Sequence, residues 1–378
     1  MVCDVSNANL YDKNITLENP NAASNDHADL VTSIVALIAP DAEFYVSNSD
    51  RIGLEWFIDM GCDVVNCSFG YYNNQENADG TYSDGVKQYQ NNIDGLYDYQ
   101  VLAHFITVVK SAGNYSDDPT SPKYNPQNKI TSPGYAHNVI TVGGVQRTAS
   151  SSGYYLEHDP YASYVTPSGH TKPNICAINT VTVPNLGTYT GTSYAAPQVT
   201  GCIALLMESN IDYCTYPERT LSLIASTAQK TYDYVENNEN FNLKVGAGVI
   251  DLQRMLDSNL YYRASNTNGS SGSEIASVTV SLREGQTLQA GLGWLVTAVN
   301  SSSTEINITS VIVTDYDLWI YSPSGTVFTS SCSNSNVELV RLTAEEFGNY
   351  RIVLRQYGEL DEIIDGEWIF ITYNVLNE

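Results

Sequence analysis

The most distinctive segment of this 378-residue chain is Gly191-Thr192-Ser193-Tyr194-Ala195-Ala196-Pro197-Gln198-Val199-Thr200-Gly201. A serine among small residues precedes a proline, and the apolar residues 203–207 follow. Proline fits the first turn of a helix, because the N–H that it lacks has no helical acceptor there. The pattern therefore predicts that Ser193 stands at the start of a buried helix. Free N–H groups and the helix dipole favour negative charge at that end, as a serine nucleophile requires.

This segment resembles the active-site serine motif of the subtilisin-like serine peptidases, Gly-Thr-Ser-Met-Ala-Ala-Pro-His-Val. Tyr194 replaces the methionine of that motif, and Gln198 replaces its histidine. The resemblance implies that Ser193 is a nucleophile, in a family whose catalytic residues follow the chain order Asp, His, Ser. The alternative interpretation is an ordinary serine cap on a core helix.

A candidate base lies upstream at His27, in the segment Asp26-His27-Ala28-Asp29. The segment resembles the family pattern His-Gly-Thr-His-Val-Ala-Gly, and this resemblance implies that His27 is the catalytic base. The apolar residues that follow have helical spacing, so His27 is predicted to open a helix with one buried face. These residues are Val31, Ile34, Val35 and Ile38. The alternative is a solvent-exposed histidine at a helix start.

A candidate oxyanion donor follows the apolar residues 105–109, where the chain continues as Lys110-Ser111-Ala112-Gly113-Asn114. The pattern predicts a strand that ends in small residues and an amide. It resembles the family's Val-Ala-Ala-Ala-Gly-Asn segment, which implies that Asn114 is the oxyanion-hole residue. A tetrahedral oxyanion needs a neutral N–H donor on a rigid element, opposite the N–H of the nucleophile. Without that context, Gly-Asn would be a turn dipeptide.

The acid that orients the histidine is predicted at Asp4. In the family this acid ends the first core strand, and Val2-Cys3-Asp4-Val5-Ser6 is the segment that fits. Asp12 and Asp26 are the alternatives, but Asp26 adjoins His27 and Asp12 has no strand before it. An ordinary terminal aspartate is the remaining interpretation of Asp4. Because Asp4 is so near the first residue, we expect the chain to be a fragment or a mature form, and any signal peptide or inhibitory prosegment would lie upstream.

The segment Asp63-Val64-Val65-Asn66-Cys67-Ser68-Phe69-Gly70 predicts a short apolar strand. It resembles the family's Val-Ile-Asn-Met-Ser-Leu-Gly. The resemblance implies that Ser68, Phe69 and Gly70 bind an extended substrate, with main-chain hydrogen bonds holding the peptide and side-chain pockets selecting it.

Strands alternate with helical patterns over residues 1–260, including a predicted surface helix over residues 86–104. This alternation predicts an α/β peptidase domain with a mainly parallel sheet and helices on both faces. The Ser-, Asn- and Gly-rich residues 261–276 predict a linker. Short alternating segments then predict an antiparallel β-sandwich over residues 277–378, which resembles jelly-roll-like domains appended to these peptidases. Support of folding is favoured for it over substrate or surface binding. The predicted strands are 277–282, 287–294, 308–313, 318–322, 337–342, 349–355 and 368–373.

The chain carries 17 Lys and Arg against 42 Asp and Glu, a formal net charge of −25 at pH 7. Such acidity opposes binding to nucleic acid or to an anionic membrane. The resemblance to the subtilisin-like peptidases implies polypeptide substrates as the partners. No apolar run in the sequence is long enough for a membrane span. The composition is compatible with an extracellular protein, and we expect a secreted or cell-surface location.

Seven cysteines are an odd number, so at least one has no partner within the chain. Cys3, Cys67 and Cys202 lie in apolar segments and are predicted to be small buried side chains. The sequence contains no Cys-x-x-Cys or His-x-x-x-His zinc motif, and no cofactor is expected to be required. Structural calcium is common in the family that the chain resembles, but no ordered string of ligands marks a site.

Two functions remain open at this point. The first is a serine endopeptidase in which Asp4, His27 and Ser193 form a catalytic triad and Asn114 stabilises the oxyanion. The second is an inactive or feeble homologue that binds peptides or proteins, which the altered surroundings of Asp4 and His27 suggest.

Overall fold

A computed structural model describes most of the chain. The described residues are 6–47, 53–70, 86–115, 130–151, 153–166, 170–234, 240–258, 261–265, 271–300, 308–311, 314–331, 334–357 and 367–376. Asp4 and Cys3 lie outside them.

The first part of the chain alternates strands with helices, as predicted. Its strands are β1 (Ile15–Leu17), β2 (Phe44–Val46), β3 (Val64–Cys67), β4 (Thr107–Ser111), β5 (Ile140–Ser150), β6 (Gly153–His158), β7 (Ile175–Ile178), β8 (Thr180–Val183) and β9 (Gly187–Thr190). Its helices are α1 (Asp26–Ile38), α2 (Glu55–Asp59), α3 (Val86–His104), α4 (Thr192–Ser209), α5 (Asp212–Thr215), α6 (Pro217–Thr227) and α7 (Leu252–Asp257). A short 3-10 turn spans Tyr232–Tyr234.

The main sheet is mostly parallel. Strands β3, β4 and β5 pair in parallel, and β5 then pairs in parallel with β7 and antiparallel with β6. Strands β1 and β2 form a separate parallel pair.

Helices cover both faces of this sheet, and strand β3 shows how. Asn66 accepts a hydrogen bond from the hydroxyl of Thr200 in α4 over 3.1 Å. The next residue, Cys67, faces the opposite way and interacts with Tyr97 of α3. Because successive strand residues point to opposite faces, α4 and α3 lie on opposite sides of the sheet.

Helix α3 has the predicted bounds, but the prediction of a surface helix is wrong. Its residues Ile93, Leu96, Tyr97 and Val101 are buried. Two acidic residues of α3 are buried as well, because they anchor a loop. Asp94 accepts hydrogen bonds from Ser132 Oγ and Tyr135 N, and Asp98 accepts one from Asn138 N.

The C-terminal part contains two four-stranded antiparallel sheets, with strand orders β10-β19-β12-β17 and β11-β18-β15-β16. One apolar cluster contains residues of both sheets, including Leu292 and Ile320. The sandwich and its jelly-roll type remain predictions. The strands are β10 (Tyr261–Ser265), β11 (Ser273–Leu282), β12 (Thr287–Trp294), β13 (Thr297–Asn300), β14 (Ile308–Val311), β15 (Asp315–Tyr321), β16 (Val327–Ser330), β17 (Val337–Thr343), β18 (Gly348–Tyr357) and β19 (Trp368–Leu376).

Part of the predicted linker, residues 261–276, is regular structure. Strand β10 pairs antiparallel with β19, and β11 begins at Ser273. The aromatic and cationic residues at the start of this region drive the pairing, because Arg263 stacks on Trp368 with its guanidinium carbon 4.1 Å from the ring centroid.

The C-terminal sheets pack closely against α6. A Cβ atom at Gly291 would overlap the backbone oxygen of Ser222, so this strand can approach the helix only without a side chain there. Gln289 Nε2 donates to Ala225 O over 2.7 Å, and Thr372 Oγ1 lies 2.9 Å from the hydroxyl of Ser222. The two parts of the chain are therefore joined by a buried polar contact.

The described cysteines, Cys62, Cys67, Cys176, Cys202 and Cys214, are free thiols. Cys67 and Cys202 are buried, as the sequence predicts.

Candidate active site

Ser193 is the second residue of α4 and follows Gly191 and Thr192. The helix therefore starts where the sequence predicts, and the N–H of Ser193 lies in its first turn, where a helix offers no internal acceptor. The Ser193 side chain is half-buried, and its Oγ donates a long hydrogen bond of 3.4 Å to the backbone oxygen of Ser68. A bond of this length is weak, so the hydroxyl can turn away from it at little cost.

Pro197 lies deeper in α4 than predicted, because it is the sixth helical residue and not part of the first turn. Proline has no N–H, so the backbone oxygen of Ser193, four residues earlier, lacks its helical donor. The hydroxyl of Ser68 fills this position and donates to Ser193 O over 2.8 Å. The end of strand β3 is thereby fixed to the start of α4.

A second contact strengthens this attachment. Asn66 Nδ2 donates to Ser68 Oγ over 3.0 Å, while Asn66 Oδ1 accepts from Thr200 Oγ1 over 3.1 Å. Sequence reasoning missed the roles of Asn66 and Thr200. The available signal was an asparagine inside an apolar strand, since a buried amide needs partners.

Asn114 is held beside the start of the same helix. Its Oδ1 accepts from the backbone N–H of Thr192 over 2.8 Å and lies 3.0 Å from the Thr192 hydroxyl. Because a backbone N–H can only donate, the facing amide atom must be the oxygen. The Nδ2 amide therefore makes no hydrogen bond within the described part of the chain and is free to donate to a ligand. Gly191 leaves room for it, because a Cβ there would lie 3.3 Å from Nδ2.

His27 lies in the first turn of α1, as predicted. The helix is capped by Asn25, whose Oδ1 accepts from the backbone N–H of His27 over 2.8 Å. The centroid of the imidazole ring lies 5.8 Å from the ring centroid of Tyr194, the residue that follows Ser193. Burial lowers the pKa of His27 below 6.5. A lowered pKa keeps the ring neutral near pH 7, which a general base requires.

The alternatives to Asp4 occupy exposed positions. Asp26 is the exposed first residue of α1. Asp12 lies in a turn, is 56% exposed, and forms an ion pair with Lys13 at 3.4 Å. Neither carboxylate has the buried setting that an acid behind an imidazole needs. Asp4 itself lies outside the described residues.

A groove of about 1180 Å³ runs from His27 to the predicted substrate-binding residues Ser68, Phe69 and Gly70. It lies between β2 and β3, and its sides come from α1 and α4. In the described part of the chain, β3 pairs with β4 alone and β2 with β1 alone, so both strands turn an open edge to the groove. Its other lining residues include Val31, Thr32, Phe44, Val65, Thr200 and Ala204.

The two departures from the serine motif have structural roles. Gln198 Nε2 donates to the backbone oxygens of Ile178 and Tyr194 over 2.6 and 2.7 Å. The ring of Tyr194 lies between His27 and Tyr189, with centroid distances of 5.8 Å to each. Both substitutions therefore add contacts around the nucleophile and leave its position in α4 unchanged.

Among the residues that the structure describes, no group of three or more His, Cys, Asp or Glu side chains is arranged to hold a metal ion. None of the described helices is both long and apolar enough to cross a membrane.

A sequence model of the subtilase family matches residues 4–248. This match spans more than half of the chain and contains His27, Asn114 and Ser193. No curated protein sequence shows a significant match.

Several solved structures are similar to this chain at low identity. A lanthipeptide protease is 17% identical with a TM-score of 0.50, and 68% of this chain and 84% of that chain are covered. The prenylagaramide maturation protease PagA is 16% identical with a TM-score of 0.48, covering 68% of this chain and 89% of that one. A serine protease of Aeromonas sobria is 15% identical with a TM-score of 0.47, covering 98% and 87%.

Proposed function

Because the chain belongs to the subtilase family of serine peptidases, we propose that it is an endopeptidase that works through an Asp4–His27–Ser193 triad. His27 takes the proton of Ser193 Oγ, which attacks the peptide carbonyl and forms an acyl-enzyme. His27 then gives the proton to the leaving amine, and water hydrolyses the acyl-enzyme by the same route.

The observation that carries this proposal is the bond from Thr192 N to Asn114 Oδ1. It leaves Asn114 Nδ2 as a donor beside Ser193, whose own N–H lies in the free first turn of α4. Two such donors match the need of a tetrahedral oxyanion. The hydroxyl of Ser193 must release its 3.4 Å bond to Ser68 O and turn toward His27 for the reaction to begin.

The path of the chain supports Asp4 as the third member. Leu10 packs with Ala36 of α1 and Phe44 of β2, so the chain passes beside the groove. Residues 7–11 form a turn, in which Leu10 N and Tyr11 N donate to Asn7 O over 2.8 and 3.0 Å. The residues before this turn therefore start close to α1, the helix that carries His27.

Polypeptides are the proposed substrates. An extended peptide would lie along residues 68–70, where Phe69 is 45% exposed and offers an apolar contact. Main-chain pairing with such a segment supplies affinity without sequence preference. The proposal also locates the protein outside the cell or at its surface.

Reaction with a fluorophosphonate probe, followed by mapping of the labelled residue, tests the proposal. We expect label on Ser193 alone, no label in Ser193→Ala, and full label in the control Ser209→Ala, which alters the far end of α4. A folded chain that takes no label would support an inactive homologue that binds peptides.

A further inference from the structure

Thr131 lies between two glycines at the edge of the candidate site. A Cβ atom at Gly70 would overlap Thr131 Oγ1, and a Cβ at Gly113 would lie 3.2 Å from Thr131 Cγ2. Gly70 ends the segment that leaves β3, and Gly113 precedes Asn114 at the end of β4. The side chain of Thr131 therefore fills the space between these two strand ends.

The position of Thr131 is fixed by several contacts. Its N–H donates to Ala112 O over 2.8 Å, and its hydroxyl lies 3.2 Å from Lys110 Nζ. The following residue, Ser132, donates to the buried carboxylate of Asp94 over 2.6 Å. Thr131 is 6% exposed. The space that it occupies is therefore not available to a ligand by a simple side-chain rotation.

The proposed reaction places one substrate residue against this space. The attacked carbon must touch Ser193 Oγ, which lies 3.4 Å from Ser68 O, and its oxygen must reach Asn114. The carbonyl thus lies over the gap between residues 68–70 and 113–114. The Cβ of the residue that supplies this carbonyl is two bonds from the attacked carbon, so the walls of the gap surround it.

We propose that Thr131 restricts the residue on the acyl side of the cleaved bond to glycine, alanine or serine. This inference rests on the proposed peptidase function and names its substrate class. Larger side chains would have to displace Thr131 from its contacts with Lys110 and Ala112. Overfilling a packed site by several carbon atoms is strongly unfavourable.

A buried lysine lies behind Thr131. Lys110 has no measurable exposure, and its Nζ contacts Ser111 O, Ser111 Oγ and Thr131 Oγ1. Among the described residues, no carboxylate forms an ion pair with it. Burial lowers the pKa of Lys110 to about 7, so the amine is mostly charged at pH 6. Removal of the Thr131 side chain would therefore open a pocket whose inner end carries a positive charge at pH 6.

The test compares peptides that differ at the acyl-side residue alone. For the unaltered chain we expect kcat/KM for alanine to exceed that for leucine and phenylalanine by roughly 100-fold. Thr131→Gly should reduce this ratio at least tenfold, and at pH 6 it should favour glutamate over glutamine by roughly tenfold. The isosteric control Thr131→Val should keep the original ranking, because it fills the same space.

A second variant separates charge from size. Thr131→Gly combined with Lys110→Met should cleave the glutamate and glutamine peptides equally while it still accepts leucine. If an unaltered, fluorophosphonate-labelled chain cleaves after leucine or phenylalanine as well as after alanine, this inference alone is wrong. It is also wrong if labelled Thr131→Gly keeps the original ranking. A folded chain that takes neither label nor substrate overturns the proposed function and this inference with it.

Discussion

Ser68 Oγ donates a 2.8 Å hydrogen bond to Ser193 O, the oxygen that Pro197 deprives of its helical donor. The proline that marks the serine motif in the sequence thus creates a free acceptor at the nucleophile. A strand end 125 residues earlier in the chain satisfies it. The position of the nucleophile relative to the substrate-binding segment therefore depends on one side-chain hydroxyl.

The first prediction concerns this coupling. Ser68→Ala should destabilise the folded chain by about 1–3 kcal/mol, because it leaves a buried carbonyl without a partner. In the Pro197→Ala background the new N–H can bond to Ser193 O, so the same change should cost much less. Denaturant unfolding of the four variants measures the difference as a coupling energy. Equal costs in both backgrounds would show that Pro197 does not create the need for Ser68.

Asn114→Ala should lower kcat by about two to three orders of magnitude with little change in KM, a magnitude taken from subtilisin itself. The free Nδ2 donor is used in the transition state, where the oxygen carries negative charge. Asn114→Asp keeps the acceptor for Thr192 but removes the donor, so it should lose at least as much activity. Steady-state kinetics of the folded variants measure this loss. If their kcat is unchanged, Asn114 has no part in the mechanism.

Asp4→Asn should preserve the fold and lower kcat by about four orders of magnitude near neutral pH, as the equivalent change does in the trypsin-like triad. The amide favours the wrong imidazole tautomer and cannot stabilise the imidazolium. The matched controls Asp12→Asn and Asp26→Asn should have small effects, because both side chains are exposed. A large loss in either control would move the acid to that position.

The titration of His27 gives an independent test of the same pair. Burial lowers the pKa of His27 below 6.5, and a neighbouring carboxylate would raise it by stabilising the charged ring. In a Ser193→Ala background, Asp4→Asn should therefore lower the His27 pKa measured by NMR. The pKa in that double variant should lie below 6.5. If the pKa of His27 does not change, the Asp4 carboxylate does not lie beside the ring.

Glu218 makes the stability of the molecule depend on pH. Its side chain is 2% exposed at the α6 contact, Oε2 has no hydrogen-bond partner in the described part of the chain, and burial raises its pKa from 4.5 to about 8. Below pH 4.5 the group is protonated in the folded and unfolded chains alike. As the pH rises toward 8, the unfolded chain loses this proton more readily, so the folded state loses stability.

Glu218→Gln should therefore raise the free energy of unfolding at pH 8–9 by a few kcal/mol and should add nothing through this linkage at pH 4. Denaturant titrations at both pH values measure the effect. The exposed Glu208→Gln at the end of α4 is the control and should leave the pH dependence unchanged. An equal gain at pH 4 and pH 9 would exclude the buried carboxylate as the cause.

The sequence predicted those features of the site that depend on local patterns. Helix starts near His27 and Ser193 and a strand before Asn114 follow from apolar periodicity, small residues and capping. The bond between Thr192 and Asn114 joins residues 78 positions apart, and no local pattern encodes it. The register of Pro197 was mistaken because the N–H donor that proline lacks is replaced by the hydroxyl of Ser68, a tertiary contact.

The same distinction explains the errors in the fold. The mixture of polar and aromatic residues over 86–104 predicted a surface helix, but Asp94 and Asp98 are buried with hydrogen-bond partners. Their partners, Ser132, Tyr135 and Asn138, lie 38 to 41 residues later in the chain. Residues Tyr261–Ser265 border a Ser- and Asn-rich stretch. Their pairing with β19 is a long-range contact, which the local sequence does not encode.

The contact between Thr372 and α6 also sets an order of events in biosynthesis. Thr372 Oγ1 lies 2.9 Å from Ser222 Oγ and 2.7 Å from Ser226 Oγ, and the two serines precede it by 150 and 146 residues. At translation rates of about 5–20 residues per second, α6 is synthesised roughly seven to thirty seconds before Thr372. During that interval the two hydroxyls lack this partner, although β12, which also packs on α6, is synthesised earlier. The nucleophile, the candidate base and the oxyanion donor are all synthesised before the strand that completes their scaffold, so a nascent chain holds the catalytic residues before it holds a finished fold.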